Sequence, residues 1–144
     1  MPENTPFFII GVHRSGTTLL RFMLSSHPRL YVPPESDFIP FFFGKDPQKP
    51  LPEARMAEIL RIIFTRYRFV EDWKGEPPTV SQVRTRMTGA TPAAFLDALY
   101  GWYAEQNHAQ RWGDKTPIYA SYVDVIRTIF PEAKFLHILR DPFD

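Results

Sequence analysis

An unbroken apolar run, Phe7-Phe8-Ile9-Ile10, leads straight into Gly11-Val12-His13-Arg14-Ser15-Gly16-Thr17-Thr18, and that loop leads straight into Leu19-Leu20-Arg21-Phe22-Met23-Leu24. No other stretch constrains the fold as tightly. Consecutive apolar residues stopped by turn formers predict a strand buried on both faces. The segment after the loop predicts a helix from about Thr17 to Ser26 with Leu19, Leu20, Met23 and Leu24 as its apolar face. Pro28 ends it, because proline disfavours the helical conformation in the residue before it. Strand, glycine loop and helix start, in that order, form an anion cradle. The loop N–H groups converge, and the helix N-terminus adds about half a positive charge.

Gly11 and Gly16 have the spacing of a Walker A loop, yet Thr17 stands where the nucleotide-hydrolase lysine belongs. The cation is Arg14, inside the loop. This predicts a phosphate cradle used for something other than ordinary ATP hydrolysis. The plainer alternative is a capped turn without a ligand, in which Thr17 caps the helix and the glycines permit tight geometry.

Further along, Leu30-Tyr31-Val32 reads as a short strand, Phe38 to Phe43 is broken by Pro40, and Pro47 to Pro52 is a loop. Met56, Ile59, Leu60, Ile63, Phe64 and Tyr67 predict a helix over Glu53 to Tyr67. The polar stretch Val70 to Gly89 reads as a surface segment. Thr91-Pro92 and Thr116-Pro117 each read as a helix start, N-cap followed by proline at the first helical position. Phe95, Leu96, Leu99, Trp102 and Tyr103 line the first of these helices; Ile118, Tyr122, Val125, Ile126 and Ile129 line the second, which Pro131 stops. Lys134 to Leu139 predicts a final strand. Strands that alternate with helices and read as continuous apolar runs predict an α/β domain: a parallel sheet with helices on both faces, in three layers.

A formal net charge of +1 gives no support to nucleic acid or an anionic membrane as the main partner. The absence of cysteine excludes disulfides and thiolate metal sites. The N-terminus lacks a secretory pattern and no apolar stretch is long enough to cross a bilayer, so the expectation is a soluble, cytoplasmic protein.

The string His13-Arg14-Ser15-Gly16-Thr17-Thr18 resembles the 5′-phosphosulfate loop of sulfotransferases that use 3′-phosphoadenosine 5′-phosphosulfate, with the arginine variant of its cation. Three further segments resemble that family in the same order. Pro33-Pro34-Glu35-Ser36 sits where some members place a catalytic Glu. Trp112-Gly113-Asp114-Lys115-Thr116-Pro117 is similar to a Lys-Thr-Pro turn of bacterial and Golgi-type members. Arg140-Asp141-Pro142, after the last strand, looks like the start of the 3′-phosphate segment. The family's segment continues to a Ser beyond Asp144, so the resemblance implies the N-terminal part of a sulfotransferase, residues 1–144 forming one P-loop-like domain that is incomplete. It implies sulfuryl transfer to a hydroxyl or amine, on a small molecule or a macromolecule, without a metal.

The implied donor-binding residues are Arg14, Ser15, Gly16, Thr17, Thr18 and Arg140; the implied catalytic residues are Glu35, Arg14 and Lys115. Arg14 suits a developing phosphate charge, since its guanidinium bridges two oxygens and stays ionised. Glu35 is the candidate general base, with His13 and His27 as rivals. Lys115 would reach the transferring group with Asp114 orienting it, unless Asp114 and Thr116 merely cap a helix. Arg140 otherwise forms a salt bridge with Asp141 or Asp144. Trp73, Trp102 and Trp112 are candidates to stack on adenine, Trp112 foremost. The arginines 55, 61, 66 and 68 read as a solvated face. Two other functions stay open: a P-loop kinase or NTPase with Asp141 as magnesium ligand, and a non-catalytic nucleotide-binding relic.

Overall fold

The computed structural model describes residues 4–66 and 72–143. The chain runs through β1 (Phe7–Gly11), α1 (Thr17–Ser25), β2 (Leu30–Tyr31), α2 (Ile39–Phe43), α3 (Glu53–Thr65), α4 (Val80–Arg86) and α5 (Pro92–Gln106). It continues through β3 (Arg111–Lys115), a 3₁₀ helix (Pro117–Tyr122), α6 (Val123–Ile129) and β4 (Lys134–Ile138). The four strands form one parallel sheet in the order β2-β3-β1-β4. The expected α/β architecture is therefore present.

Side chains alternate across β1. Phe8 and Ile10 enter a large core with Trp112, Tyr100, Phe38 and residues of α2 through α6. Phe7 and Ile9 point the other way and, with Val32, pack under Leu20 and Leu24 of α1. Helices thus cover both faces, unequally. The larger core is rich in rings: Trp112 stacks on Tyr100 with centroids 4.1 Å apart, and Phe8 meets Trp112 edge-on at 5.9 Å. Contacts of this kind add about 0.5–1.5 kcal/mol each beyond the area they bury.

β1 pairs with β3 through Phe7↔Gly113, Phe8↔Asp114 and Ile9↔Lys115, and with β4 through Phe7↔Lys134 to Gly11↔Ile138. Chain order runs from β1 out to β2, back to β3 beside it, then across to β4 on its other flank. The carboxyl end of β1 is therefore a switch point, the place where open α/β sheets gather ligands.

Several local expectations need correction. On α1, Leu19 and Met23 are 65% and 62% exposed; the buried side is Thr17 with Leu20 and Leu24. The stretch expected to be a surface segment holds α4, opened by a Thr79–Gln82 capping box, and a buried Trp73 packed on Tyr100. Its Val70, like Tyr67 and Arg68, lies outside the described residues. The single helix expected from Thr116 is a 3₁₀ turn followed by α6. Three residues per turn instead of 3.6 rotates the stripe, so Tyr119 is buried while Ile118 and Tyr122 are exposed. Thr91 caps α5 as expected, accepting from the Ala94 N–H. Among the described residues no helix is long and apolar enough to cross a membrane.

Candidate active site

The loop between β1 and α1 folds back on itself. The Ser15 hydroxyl donates to the Val12 carbonyl at 2.5 Å, and the Ser15 N–H reaches the same oxygen. Gly16, with φ of 98°, turns the chain into α1 at its N-cap, and Arg14 is also left-handed. At Gly11 the constraint is space: a Cβ there would stand 2.9 Å from the Ile138 carbonyl and 3.1 Å from Ser15 Oγ. The loop is thus pressed against the end of β4.

Val12, His13, Arg14 and Ser15 line one wall of a cleft of about 400 Å³, and Ile138 through Pro142 line the other. Arg140 Nη1 lies 3.5 Å from the Arg14 carbonyl. Two segments more than a hundred residues apart in sequence therefore share one cleft, each bringing an arginine. Asp141 accepts the Phe143 N–H in the turn that follows.

On the other flank of the loop, Lys115 Nζ donates to Glu35 Oε1 at 2.7 Å and to Thr18 Oγ1 at 3.3 Å. The lysine side chain is 6% exposed and that of Glu35 35%. The helix that carries Thr18, the turn that carries Glu35 and the end of β3 thus meet at one ammonium. Asp114 does not orient Lys115. Its carboxylate lies on the opposite face of β3, where it accepts from Ser36 Oγ at 2.6 Å, from Thr116 Oγ1 at 2.7 Å and from the Tyr100 hydroxyl. Burial pushes the Asp114 carboxyl above its ordinary range, and the three donors offset part of that rise. Thr116 spends its hydroxyl on Asp114 and makes no cap to the following turn.

His13 is exposed on the loop. His27 uses Nδ1 to accept the Arg29 N–H, which ties it to the chain after α1. Trp112 is buried against Tyr100 and does not border the cleft, and Trp102 donates its N–H to the Glu76 carbonyl. Sequence reasoning missed Asp37, a left-handed residue beside the site. Desolvation, then Glu35, raises its carboxyl, while Arg66, His13 and Lys115 act the other way. It missed Ser36, Tyr100 and Tyr119 as well; the alternation Glu35-Ser36 against Asp114-Lys115 was the available signal. Among the described residues no group of three or more acidic or histidine side chains is placed to hold a metal ion.

A sequence description of the Sulfotransferase family matches residues 6–144. The chain belongs to the sulfotransferase family. Curated relatives include an uncharacterised Aquifex aeolicus protein, 28% identical over 99% of this chain and 16% of its own length. The nodulation protein NoeE of Sinorhizobium fredii is 28% identical over 94% of this chain and 29% of its own. Protein-tyrosine sulfotransferase A of Caenorhabditis elegans is 28% identical over 96% of this chain and 31% of its own. The chain therefore spans less than a third of the length of each of these three. Among solved structures, sulfotransferase STF9 from Mycobacterium avium aligns over 99% of this chain and 44% of that one, at 15% identity and a TM-score of 0.43.

Proposed function

We propose that residues 1–144 form one unit, the donor-binding part of a sulfotransferase that moves a sulfuryl group from 3′-phosphoadenosine 5′-phosphosulfate to a hydroxyl or amine. The observation that carries the reading is the shared cleft: the phosphate-type loop and Arg140 line it together, while Lys115 and Glu35 stand on the loop's other flank. A nucleotide with phosphates at two positions calls for a cation at each, and the presence of Arg14 and Arg140 in one cleft at the carboxyl end of β1 supports that reading.

In the proposed reaction the acceptor oxygen or nitrogen forms a bond to sulfur as the bond from sulfur to the bridging phosphate oxygen breaks. Adenosine 3′,5′-bisphosphate leaves, and the acceptor proton goes to the Glu35 carboxylate. Arg14 and the N–H and hydroxyl groups of Ser15, Gly16, Thr17 and Thr18 hold the 5′ end, Arg140 holds the 3′-phosphate, and Lys115 meets charge that grows on the bridging oxygen. Preorganised donors of this kind act in the transition state, at about 3 kcal/mol for one. The acceptor is a small molecule or a macromolecule; relatives named as protein-tyrosine sulfotransferases make a phenol a fitting first acceptor to try.

Calorimetric titration tests the donor assignment. Adenosine 3′,5′-bisphosphate is expected to bind about tenfold or more tighter than AMP, the worth of one hydrogen-bonded charge contact. Equal affinities overturn the assignment. Preferential, magnesium-dependent binding of ATP replaces it with the kinase reading, and tight bisphosphate binding by a complete protein without turnover replaces it with the relic.

A further inference from the structure

Ser36 is buried next to the half-exposed Glu35, and its surroundings form a hydrogen-bond chain with a single direction. The Ser36 N–H donates to Thr116 Oγ1 at 3.1 Å, and Thr116 donates to Asp114 Oδ1 at 2.7 Å. Ser36 Oγ donates to Asp114 Oδ2 at 2.6 Å. That commits its one hydrogen, so at the 2.7 Å contact with the Tyr119 hydroxyl the tyrosine is the donor. Tyr119 in turn accepts the Ile39 N–H at 3.1 Å. The backbone N–H groups of residues 36 and 39 thus both lead, through hydroxyls, to one buried carboxylate. The two carboxylate oxygens of Asp114 are the acceptors on which both paths end.

The consequence for the charged pair follows from alternation along two extended segments. Asp114 and Lys115 leave opposite faces at the end of β3, and Ser36 and Glu35 meet them in reverse order: Ser36 with Asp114 in the core, Glu35 with Lys115 on the α1 side. We infer that Asp114 is a positioning residue: through Ser36, Thr116 and Tyr119 it fastens the turn of residues 33–39, and so sets Glu35 against Lys115. It touches neither the donor cleft nor Lys115. This rests on the reading of Glu35 and Lys115 as reacting groups for its catalytic meaning, but the fastening itself is a structural claim with its own readout.

The readout is the reactivity of lysines toward a small acylating reagent, followed by mass spectrometry. Lys115 is 5% exposed, whereas Lys45, Lys49, Lys74 and Lys134 are exposed and serve as internal references. In Ser36→Ala the Lys115 rate is expected to rise about tenfold, the worth of one hydrogen bond to a charged group, with the reference rates unchanged. Ser36→Thr, which keeps the hydroxyl, is expected to restore protection, and Tyr119→Phe to lose part of it. Asp114→Asn is the direct variant; should it fail to fold, the serine and tyrosine variants decide. Lys115 staying protected in both Ser36→Ala and Tyr119→Phe overturns the inference. So does a parallel rise at all five lysines, which would mean the network holds the whole fold rather than the turn. Adenosine 3′,5′-bisphosphate affinity is expected to stay within about twofold in Ser36→Ala, well under the loss of one charge contact. A wild-type chain that binds no nucleotide would sink the donor assignment while leaving the lysine comparison intact. Where transfer is measurable, kcat is expected to fall in Ser36→Ala with the donor KM unchanged.

Discussion

Breaking the Glu35–Lys115 pair from either side has unequal consequences, and the inequality can be worked out from burial. At an effective dielectric of about 20, two unit charges at contact distance attract by roughly 4 kcal/mol before desolvation is subtracted. Glu35→Gln leaves an ammonium whose side chain is 6% exposed, with a neutral amide and Thr18 Oγ1 as its remaining company. An unpaired buried charge costs about 3–5 kcal/mol, and water entering from the Glu35 side, where exposure is 35%, brings the expected loss down to about 2–3 kcal/mol. Lys115→Met removes the desolvated ion together with its partner's attraction. The carboxylate left behind turns to solvent, so the expected loss is about 1 kcal/mol or less. The double variant should resemble Lys115→Met. Urea unfolding at neutral pH, with matched slopes, gives all three numbers. A Lys115→Met that is as destabilised as Glu35→Gln would refute the argument, because it would mean the attraction outweighs the burial cost of the lysine.

Arg140→Ala is expected to reduce the preference for adenosine 3′,5′-bisphosphate over AMP by about ten- to a hundredfold in calorimetry, leaving AMP affinity nearly unchanged; discrimination that survives would remove Arg140 from the 3′-phosphate. Gly113→Ala would place a Cβ on the Phe7 ring and should cost about 1–3 kcal/mol, and an unaltered thermal midpoint would contradict that packing. For pH, the sign comes from Asp114, whose carboxyl burial raises above 3.8. The folded state then holds that proton more tightly than the unfolded one, so the contribution is fully present in acid and is lost as pH rises from 3.8 through the native value. Unfolding free energy of the wild type minus that of Asp114→Asn should therefore fall with rising pH across that window, by at most about 1.4 kcal/mol per unit. A difference that widens toward neutral pH would show that the three donors outweigh desolvation.

The parts of this site written into one short segment were legible in the sequence alone. β1, the loop and the start of α1 are contiguous, so periodicity and two glycines were enough to place Arg14 and Ser15 at the carboxyl end of a strand. Arg140 was legible for the same reason, two residues past the end of β4. Which face of α1 is buried was not, because Leu19, Leu20, Met23 and Leu24 suit either side of an amphipathic helix, and the choice is made by Phe7 and Ile9 beneath it. α4 carried a local signal, Thr79 followed by Gln82 three residues on, in a stretch whose polarity argued for loop. The 3₁₀ turn carried none. Tyr119 is drawn inward by Ser36 and the Ile39 N–H, partners eighty or more positions away in sequence. Glu35 and Lys115 were each suspected singly, but their pairing is a property of strand order.

That dependence on strand order locates the point where the site is most vulnerable. β3 uses both of its faces at one end: Trp112 and Asp114 enter the larger core, while Arg111, Gly113 and Lys115 turn toward Phe7 and α1. A slip of one residue between β1 and β3 would exchange these sets, burying Lys115 among aromatic rings and carrying Asp114 to the loop. Neither is tolerable without partners. The register is fixed where the Phe7 ring occupies the space a side chain at Gly113 would fill, with the Arg111 guanidinium 5.2 Å from the same ring. The glycine of Trp112-Gly113-Asp114-Lys115 thus acts on the candidate site from a distance. By admitting Phe7 at one position it decides, two positions later, that an ammonium rather than a carboxylate faces the loop.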